Sequence, residues 1–262
     1  MCAVGDVEAA LDERDPEFIR RRLADTWPLV RRWFRAEVRG LELIPDGPVL
    51  VVGNHSGGNL TPDSVILALA YNEYAGAERP SYALTDDIGP TSTRSSFFRK
   101  FGAISPSPRH AKAAFDRDAV VLVYPGNNEV HRPSWHRHRI DLGGRHGWAR
   151  LARDHNVPVV PAVAIGGQET ALFLTRGETL ARALRLDRLF GIRELPLSIA
   201  LPWGLNVGDF LGHIPLPAKI VIQLLPPMTV GDDPRAAYRE ITGRMQAALT
   251  GMAAERRFPV IG

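Results

Sequence analysis

The sequence predicts an α/β protein: a mixed, largely parallel sheet flanked by helices and preceded by a helical segment. Three observations predict it. Short β-rich apolar runs recur along the chain, each bounded by Gly or Pro. The runs are continuous rather than alternating, which suits strands covered on both faces. Stretches with helical apolar spacing lie between them, and strands alternating with helices form a layered sheet.

Asp15-Pro16-Glu17 opens the first helix, with a capping acid, Pro at the first helical position and an acid in the first turn. Ile19, Leu23, Trp27, Val30, Phe34 and Val38 then recur at spacings of three and four. Pro28 is expected to kink or split this helix. Arg20, Arg21, Arg22, Arg31, Arg32 and Arg35 lie among the apolar positions. Two readings stand. One is a helical pair packed on the core with Arg as its solvated face. The other is a basic amphipathic surface for anionic lipid, with Trp27 and Trp33 at the interface.

Strands are expected in 48–53, 119–126, 157–167, 195–202 and 218–227. Helices are expected over 64–74, 109–117, 144–155 and 234–254. With no internal repeat or low-complexity linker, 1–262 reads as one domain: a helical segment, 1–40, and an α/β core, 41–262.

Bulk properties exclude several classes. The 262 residues can bury a full core. A net charge of +3 is too mild to point to nucleic acid. Only three of the 32 basic residues are Lys, and the Arg that remain can bind phosphate bidentately. Cys2 is the single cysteine, so the chain forms no internal disulfide and offers no cysteine metal site or credible catalytic thiol. The first fifteen residues carry acids and lack the apolar run of a signal peptide. No run approaches the roughly 18 apolar residues of a membrane span. The expected location is cytoplasmic, peripheral on the inner face of a membrane, in a bacterial cell.

The stretch Val-Leu-Val-Val-Gly-Asn-His-Ser-Gly-Gly-Asn-Leu-Thr-Pro-Asp-Ser, 49–64, runs from a buried strand into an imidazole and then a helix start. Strand ends are where α/β enzymes place their chemistry. His55 sits at one. Thr61, Pro62 and Asp63 read as N-cap and first and second helical positions. If the loop folds back, Asp63 meets one imidazole nitrogen, sets the tautomer and leaves the other as a base. A lone Asp at a helix start and a His in a turn are also common structural features.

Three further stretches follow in order: Phe-Gly-Ala-Ile-Ser-Pro-Ser-Pro-Arg-His-Ala-Lys-Ala-Ala-Phe (101–115), Val-Val-Leu-Val-Tyr-Pro-Gly-Asn-Asn-Glu (120–129) and Val-Pro-Val-Val-Pro-Ala-Val-Ala-Ile-Gly-Gly (157–167). Together with 49–64 they resemble the four blocks of the glycerolipid and lysophospholipid acyltransferase superfamily. The likeness extends over about 49–227. Two departures stand out. The His and Asp are separated by seven residues where the family pattern has four. The third block reads Pro125-Gly126-Asn127-Asn128-Glu129, similar to the branch resembling diacylglycerol acyltransferases, and lacks the Arg that grips an acceptor phosphate.

The resemblance implies transfer of a fatty acyl group from a thioester, acyl-coenzyme A or acyl-carrier protein, to a hydroxyl of a glycerolipid-type acceptor. His55 is then the general base and Asp63 orients it. Gly57, Gly58, Arg109, Gly126, Asn127, Asn128 and Glu129 are the candidate substrate-binding residues, and backbone N–H groups around Ser56, Gly57 and Gly58 the candidate oxyanion donors. Arg109 opens a helix and is the leading phosphate candidate. No cofactor and no metal are expected. The expected partners are the acyl donor, a lipid acceptor and a membrane surface, without nucleic acid. Two other classes remain open: an inactive lipid-binding protein on the same fold, and a thioesterase or lipase in which His55 activates water.

Residues 131–150 hold His131, His136, His138 and His146 with five Arg. They lack the helical His spacing of a metal site, so a solvated loop or a cationic rim with Trp135 and Trp148 suits them better than a metal. There is no Gly-x-Ser-x-Gly elbow and no phosphate-binding Gly-rich loop after a strand. A Pro- and Gly-rich block with Trp203 and Phe210 reads as a lid or a long connection.

Overall fold

The computed structural model describes residues 4–57, 61–85, 93–126, 138–175, 177–189, 195, 197–200, 204–207, 214–256 and 258. Helices α1 (Val4–Asp12) and α2 (Pro16–Trp33) lead into β1 (Glu37–Arg39) and β2 (Val49–Gly53). Then come α3 (Pro62–Ala75), β3 (Ser81–Leu84), α4 (Thr93–Lys100), β4 (Ala103–Ile104), α5 (Pro108–Phe115) and β5 (Val120–Val123). Next are α6 (Gly147–Asp154), β6 (Val159–Ile165), β7 (Leu172–Thr175), α7 (Glu178–Ala183) and α8 (Leu186–Leu189). The chain closes with β8 (Leu197–Ala200), β9 (Gly204–Val207), β10 (Val221–Leu224) and α9 (Pro234–Glu255).

Seven strands form the main sheet in the order β1-β10-β6-β2-β5-β3-β4. From β6 to β4 every neighbouring pair is parallel, and β10 joins β6 antiparallel. The mixed, largely parallel sheet is therefore as expected. Its continuous apolar runs follow from cover on both sides. Leu50, Val52, Val121, Val159 and Val163 face a core built with α1, α5, α6 and α9. Val49, Val51, Val120, Leu122 and Val160 face a second core built with α3 and the end of α2. Alternate residues of one strand thus serve opposite cores, and none can be polar.

Three expectations are corrected. Pro28 does not split its helix: α2 runs unbroken from Pro16 to Trp33, and the N-terminal helical pair divides earlier, between α1 and α2. The hydrogen bond that Pro28 cannot donate would go to Ala24, and both residues are exposed, so water can serve that carbonyl. Trp27 packs on the core rather than at an interface, while Trp33 is exposed. The run 195–202 does not join the doubly covered sheet. It supplies β8 of a separate antiparallel sheet, β7-β8-β9. The helix start at Asp15 is as read, its side chain accepting from Phe18 N–H at 2.9 Å.

Candidate active site

Because β2, β5, β6, β3 and β4 are parallel, the segments that leave their C-terminal ends meet at one edge of the sheet. His55 lies there, two residues beyond β2. Asn54 holds the strand end in place. Its side-chain oxygen accepts from Ala164 N–H at 2.9 Å, and its amide donates to Ala164 O at 3.1 Å.

The longer spacing does not separate the pair. His55 Nδ1 lies 3.1 Å from Asp63 Oδ1. Asp63 is the second residue of α3, and its side chain is 0% exposed against 14% for His55. The carboxylate is fully engaged. Oδ1 also accepts from Ser64 N–H at 2.8 Å. Oδ2 accepts from Ser56 N–H and from Ser56 Oγ, the latter at 2.9 Å. Four donors around one buried carboxylate hold it still. With Nδ1 bonded to Asp63, Nε2 is the nitrogen left to take a proton.

Ser56 links the pair to the next strand. Its Oγ accepts from Gly167 N–H at 3.0 Å. Gly167 belongs to the 3-10 turn Gly167–Glu169 after β6. A Cβ on Gly167 would stand 2.4 Å from Ser56 Oγ and 2.5 Å from Gly57 O. Gly57 has φ +105°, and a Cβ there would stand 2.9 Å from Gln168 Cα. The turn is locked further by Glu169, which pairs with Arg256 at 2.7 and 2.8 Å. Burial pushes the Glu169 carboxyl up, against the pull of Arg256.

Tyr124 follows β5 and stacks on His55, with centroids 4.8 Å apart and planes 19° apart. Its ring fills the space over Gly53, where a Cβ would lie 2.4 Å from a ring carbon. The phenol oxygen is buried and has no hydrogen-bond partner among the described residues. Burial pushes the phenol well above its ordinary range, and the Asp63 charge adds to this.

The other expected residues are placed as follows. Gly126, at φ +95°, comes close to the backbone of Leu142 and Gly143. Arg109 is exposed in the first turn of α5. It lies at the same sheet edge as His55 but three strands away, roughly 14 Å along the sheet. Gly58, Asn127, Asn128 and Glu129 lie outside the described residues, as do His131, Trp135, His136, Trp203 and Phe210. Ser56 N–H is already given to Asp63, so among the expected oxyanion donors it is not on offer. Thr61 takes the N-cap position without capping: its φ is +41° and its side chain caps nothing. Trp148 is not at an interface but 4% exposed in the core. His146 packs edge-on against Tyr238, and His138 Nδ1 lies 3.4 Å from Gln168 Nε2. Among the described residues no three His, Cys, Asp or Glu cluster to hold a metal.

Sequence reasoning missed Asn54, Tyr124 and Gly167. A polar Asn between an apolar strand and the imidazole was a signal for Asn54. Nothing local marks the other two, which act across strands.

A family model described as Acyltransferase matches residues 35–165, a stretch holding His55, Asp63, Arg109 and Gly126. The uncharacterized protein Rv0502 of Mycobacterium tuberculosis is 30% identical over 260 residues, covering 93% of this chain and 69% of that protein. The uncharacterized protein ML2427 of Mycobacterium leprae is 28% identical over 240 residues, covering 87% and 62%. The crystal structure of the 1-acyl-sn-glycerophosphate (LPA) acyltransferase PlsC from Thermotoga maritima matches with TM-score 0.55 at 13% identity, covering 97% of this chain and 81% of that one. At that identity the likeness is one of fold.

Proposed function

The chain belongs to the acyltransferase family, and from that premise we propose that it transfers a fatty acyl group from a thioester to a hydroxyl of a glycerolipid. The observation that carries the reading is the His55–Asp63 contact of 3.1 Å at the sheet edge, with the carboxylate held by Ser56 and Ser64. His55 Nε2 takes the proton of the acceptor hydroxyl as its oxygen attacks the thioester carbonyl. The tetrahedral intermediate collapses, the C–S bond breaks, and the imidazolium returns its proton to the leaving thiolate. Asp63 stabilises the imidazolium in between. General-base assistance of this kind is worth about 10²–10⁴-fold.

The donor is acyl-coenzyme A or an acylated carrier protein, and the site needs no cofactor. The lysophosphatidic acid acyltransferase of Thermotoga supports a glycerolipid acceptor through its fold. The third block favours a neutral or weakly anionic hydroxyl such as a mono- or diacylglycerol. Asn127, Asn128 and Glu129 offer amides and a carboxylate, and a carboxylate repels a phosphate dianion. Work on such an acceptor places the protein at a membrane surface. No helix among the described residues is long and apolar enough to cross one.

Thiol release from one acyl-coenzyme A, followed with and without diacylglycerol or lysophosphatidic acid, tests the reading. Release that depends on the neutral acceptor supports it. Release without acceptor marks a thioesterase, and no release marks a binding protein. Preference for the phosphorylated acceptor, lost on Arg109→Gln, overturns the choice of acceptor alone.

A further inference from the structure

The small sheet β7-β8-β9 is inverted. Directly opposed residues of an antiparallel pair point to the same side, and neighbours along a strand to opposite sides. Leu172, Ile199 and Leu205 form one cross-strand row, and Thr175, Leu197 and Val207 another on the same face. On that face Ile199 is 43%, Leu205 62% and Val207 47% exposed. Ser198 and Asn206, opposed on the other face, are 0% and 4% exposed. A sheet with one face in water normally turns its polar residues outward. Here, Thr175 apart, aliphatic side chains face out, while Ser198 and Asn206 face in.

We infer that this outward face is where the protein seats on an anionic lipid bilayer. Three features of the surroundings select that occupant. First, the face adjoins the site. β7 begins after the Gly167–Glu169 turn whose Gly167 N–H bonds Ser56 Oγ.

Second, the small sheet borders a second exposed apolar area, the end of α2. Leu216 N–H donates to Thr170 O just before β7, and Trp33 Nε1–H donates to Pro215 O, one residue away. Leu29 and Trp33 are both exposed. A Trp with its ring in the open and its N–H satisfied suits the headgroup boundary.

Third, the border is cationic. Arg31 and Arg32 beside Trp33, and Arg182, Arg185 and Arg188 in α7–α8, are exposed. No acid among the described residues pairs with Arg31, Arg32, Arg185 or Arg188. An exposed aliphatic face with Arg on neighbouring segments of the chain matches acyl chains under anionic headgroups. An acidic protein would satisfy the Arg but leave the aliphatic rows uncovered.

The experiment is co-sedimentation of the full chain with vesicles of equal parts phosphatidylcholine and phosphatidylglycerol, against pure phosphatidylcholine. The wild type is expected to sediment with the anionic vesicles and less so as salt rises. Leu205→Glu with Val207→Glu lowers the apparent affinity about tenfold or more at an unchanged melting temperature. Should that protein not fold, Leu205→Ser with Val207→Ser is the neutral equivalent. Arg182→Gln with Arg185→Gln and Arg188→Gln weakens the preference for anionic vesicles about tenfold.

His55→Ala sediments like wild type, so seating is read apart from chemistry and survives failure of the proposed reaction. Undiminished binding of the Glu and Ser variants overturns the inference, as does a wild type that ignores both vesicle types. A solution dimer that the same substitutions dissociate also overturns it, by making the face a contact between two copies.

Discussion

Tyr124 lies flat on His55, ring centroids 4.8 Å apart and planes 19° from parallel. Stacked on one side by Tyr124 after β5 and bonded at Nδ1 by Asp63 at the start of α3, the imidazole has its plane and its tautomer set from two different elements. Replacing Tyr124 with Phe keeps the stack and removes a buried hydroxyl that has no partner among the described residues. The variant should be more stable by about 1 kcal/mol and close to wild type in activity. Tyr124→Leu removes the flat surface and should lower kcat roughly tenfold with KM little changed. Thermal melts and steady-state kinetics of the two proteins check this.

His55→Ala should lower acyl transfer by about 10²–10⁴-fold and leave the fold intact, because its side chain is partly exposed beyond the strand. Near-normal transfer in this protein would sink the mechanism. Asp63→Asn is not the mild change its shape suggests. Four donors converge on the two carboxylate oxygens. An amide nitrogen at either position faces donors and strands them in a buried site. The loss of stability should be about 1–3 kcal/mol, read by chemical denaturation, on top of lost activity.

Ser56 touches Asp63 and Gly167, and reaches the proposed base His55 only through Asp63. Ser56→Ala should reduce kcat roughly tenfold at constant KM and cost about 1 kcal/mol of stability, since Gly167 N–H loses its acceptor. A change confined to KM would mean that Ser56 contacts substrate instead.

Gly57→Ala meets both a left-handed φ of +105° and the Gln168 backbone. A loss of about 1–3 kcal/mol is expected, with activity falling because Ser56 is displaced. Denaturation midpoints and turnover should fall together. Lost activity at full stability would assign Gly57 a direct part in binding substrate.

Arg256→Met leaves Glu169 buried without its bidentate partner, and such losses run to about 3–5 kcal/mol. The pH dependence has a definite sign. Burial already raises the Glu169 pKa, and removing Arg256 raises it further. A carboxyl whose folded pKa exceeds its unfolded one favours folding below the unfolded value, and that contribution is lost as pH rises through the folded pKa. The variant should therefore be closest to wild type in mild acid and fall behind toward neutral pH. Melting temperatures across that range decide it.

Much of the site was legible because its signals are local. A His at the end of an apolar run, and a Pro-Asp at the next helix start, mark positions that backbone preferences and the helix dipole specify within a few residues. Doubly covered strands betray themselves by continuous apolar runs, as β2, β5 and β6 do. Short or polar strands do not. Glu37–Arg39 and Ser81–Leu84 become strands only because neighbours of distant sequence offer them hydrogen bonds.

By itself, then, the sequence determined the α/β class, the strand that carries His55, the helix that carries Asp63 and the order of the blocks. Each of these follows from preferences that act along the chain. Only the tertiary structure decided that seven intervening residues still bring Asp63 to 3.1 Å from His55, that Ser56 and Gly167 brace the carboxylate, that Tyr124 backs the imidazole, and that residues 197–200 turn their aliphatic side outward. The physical reason is that these contacts join different elements of the fold. Their geometry is set by sheet register and by which segments leave the same edge, which no local preference encodes.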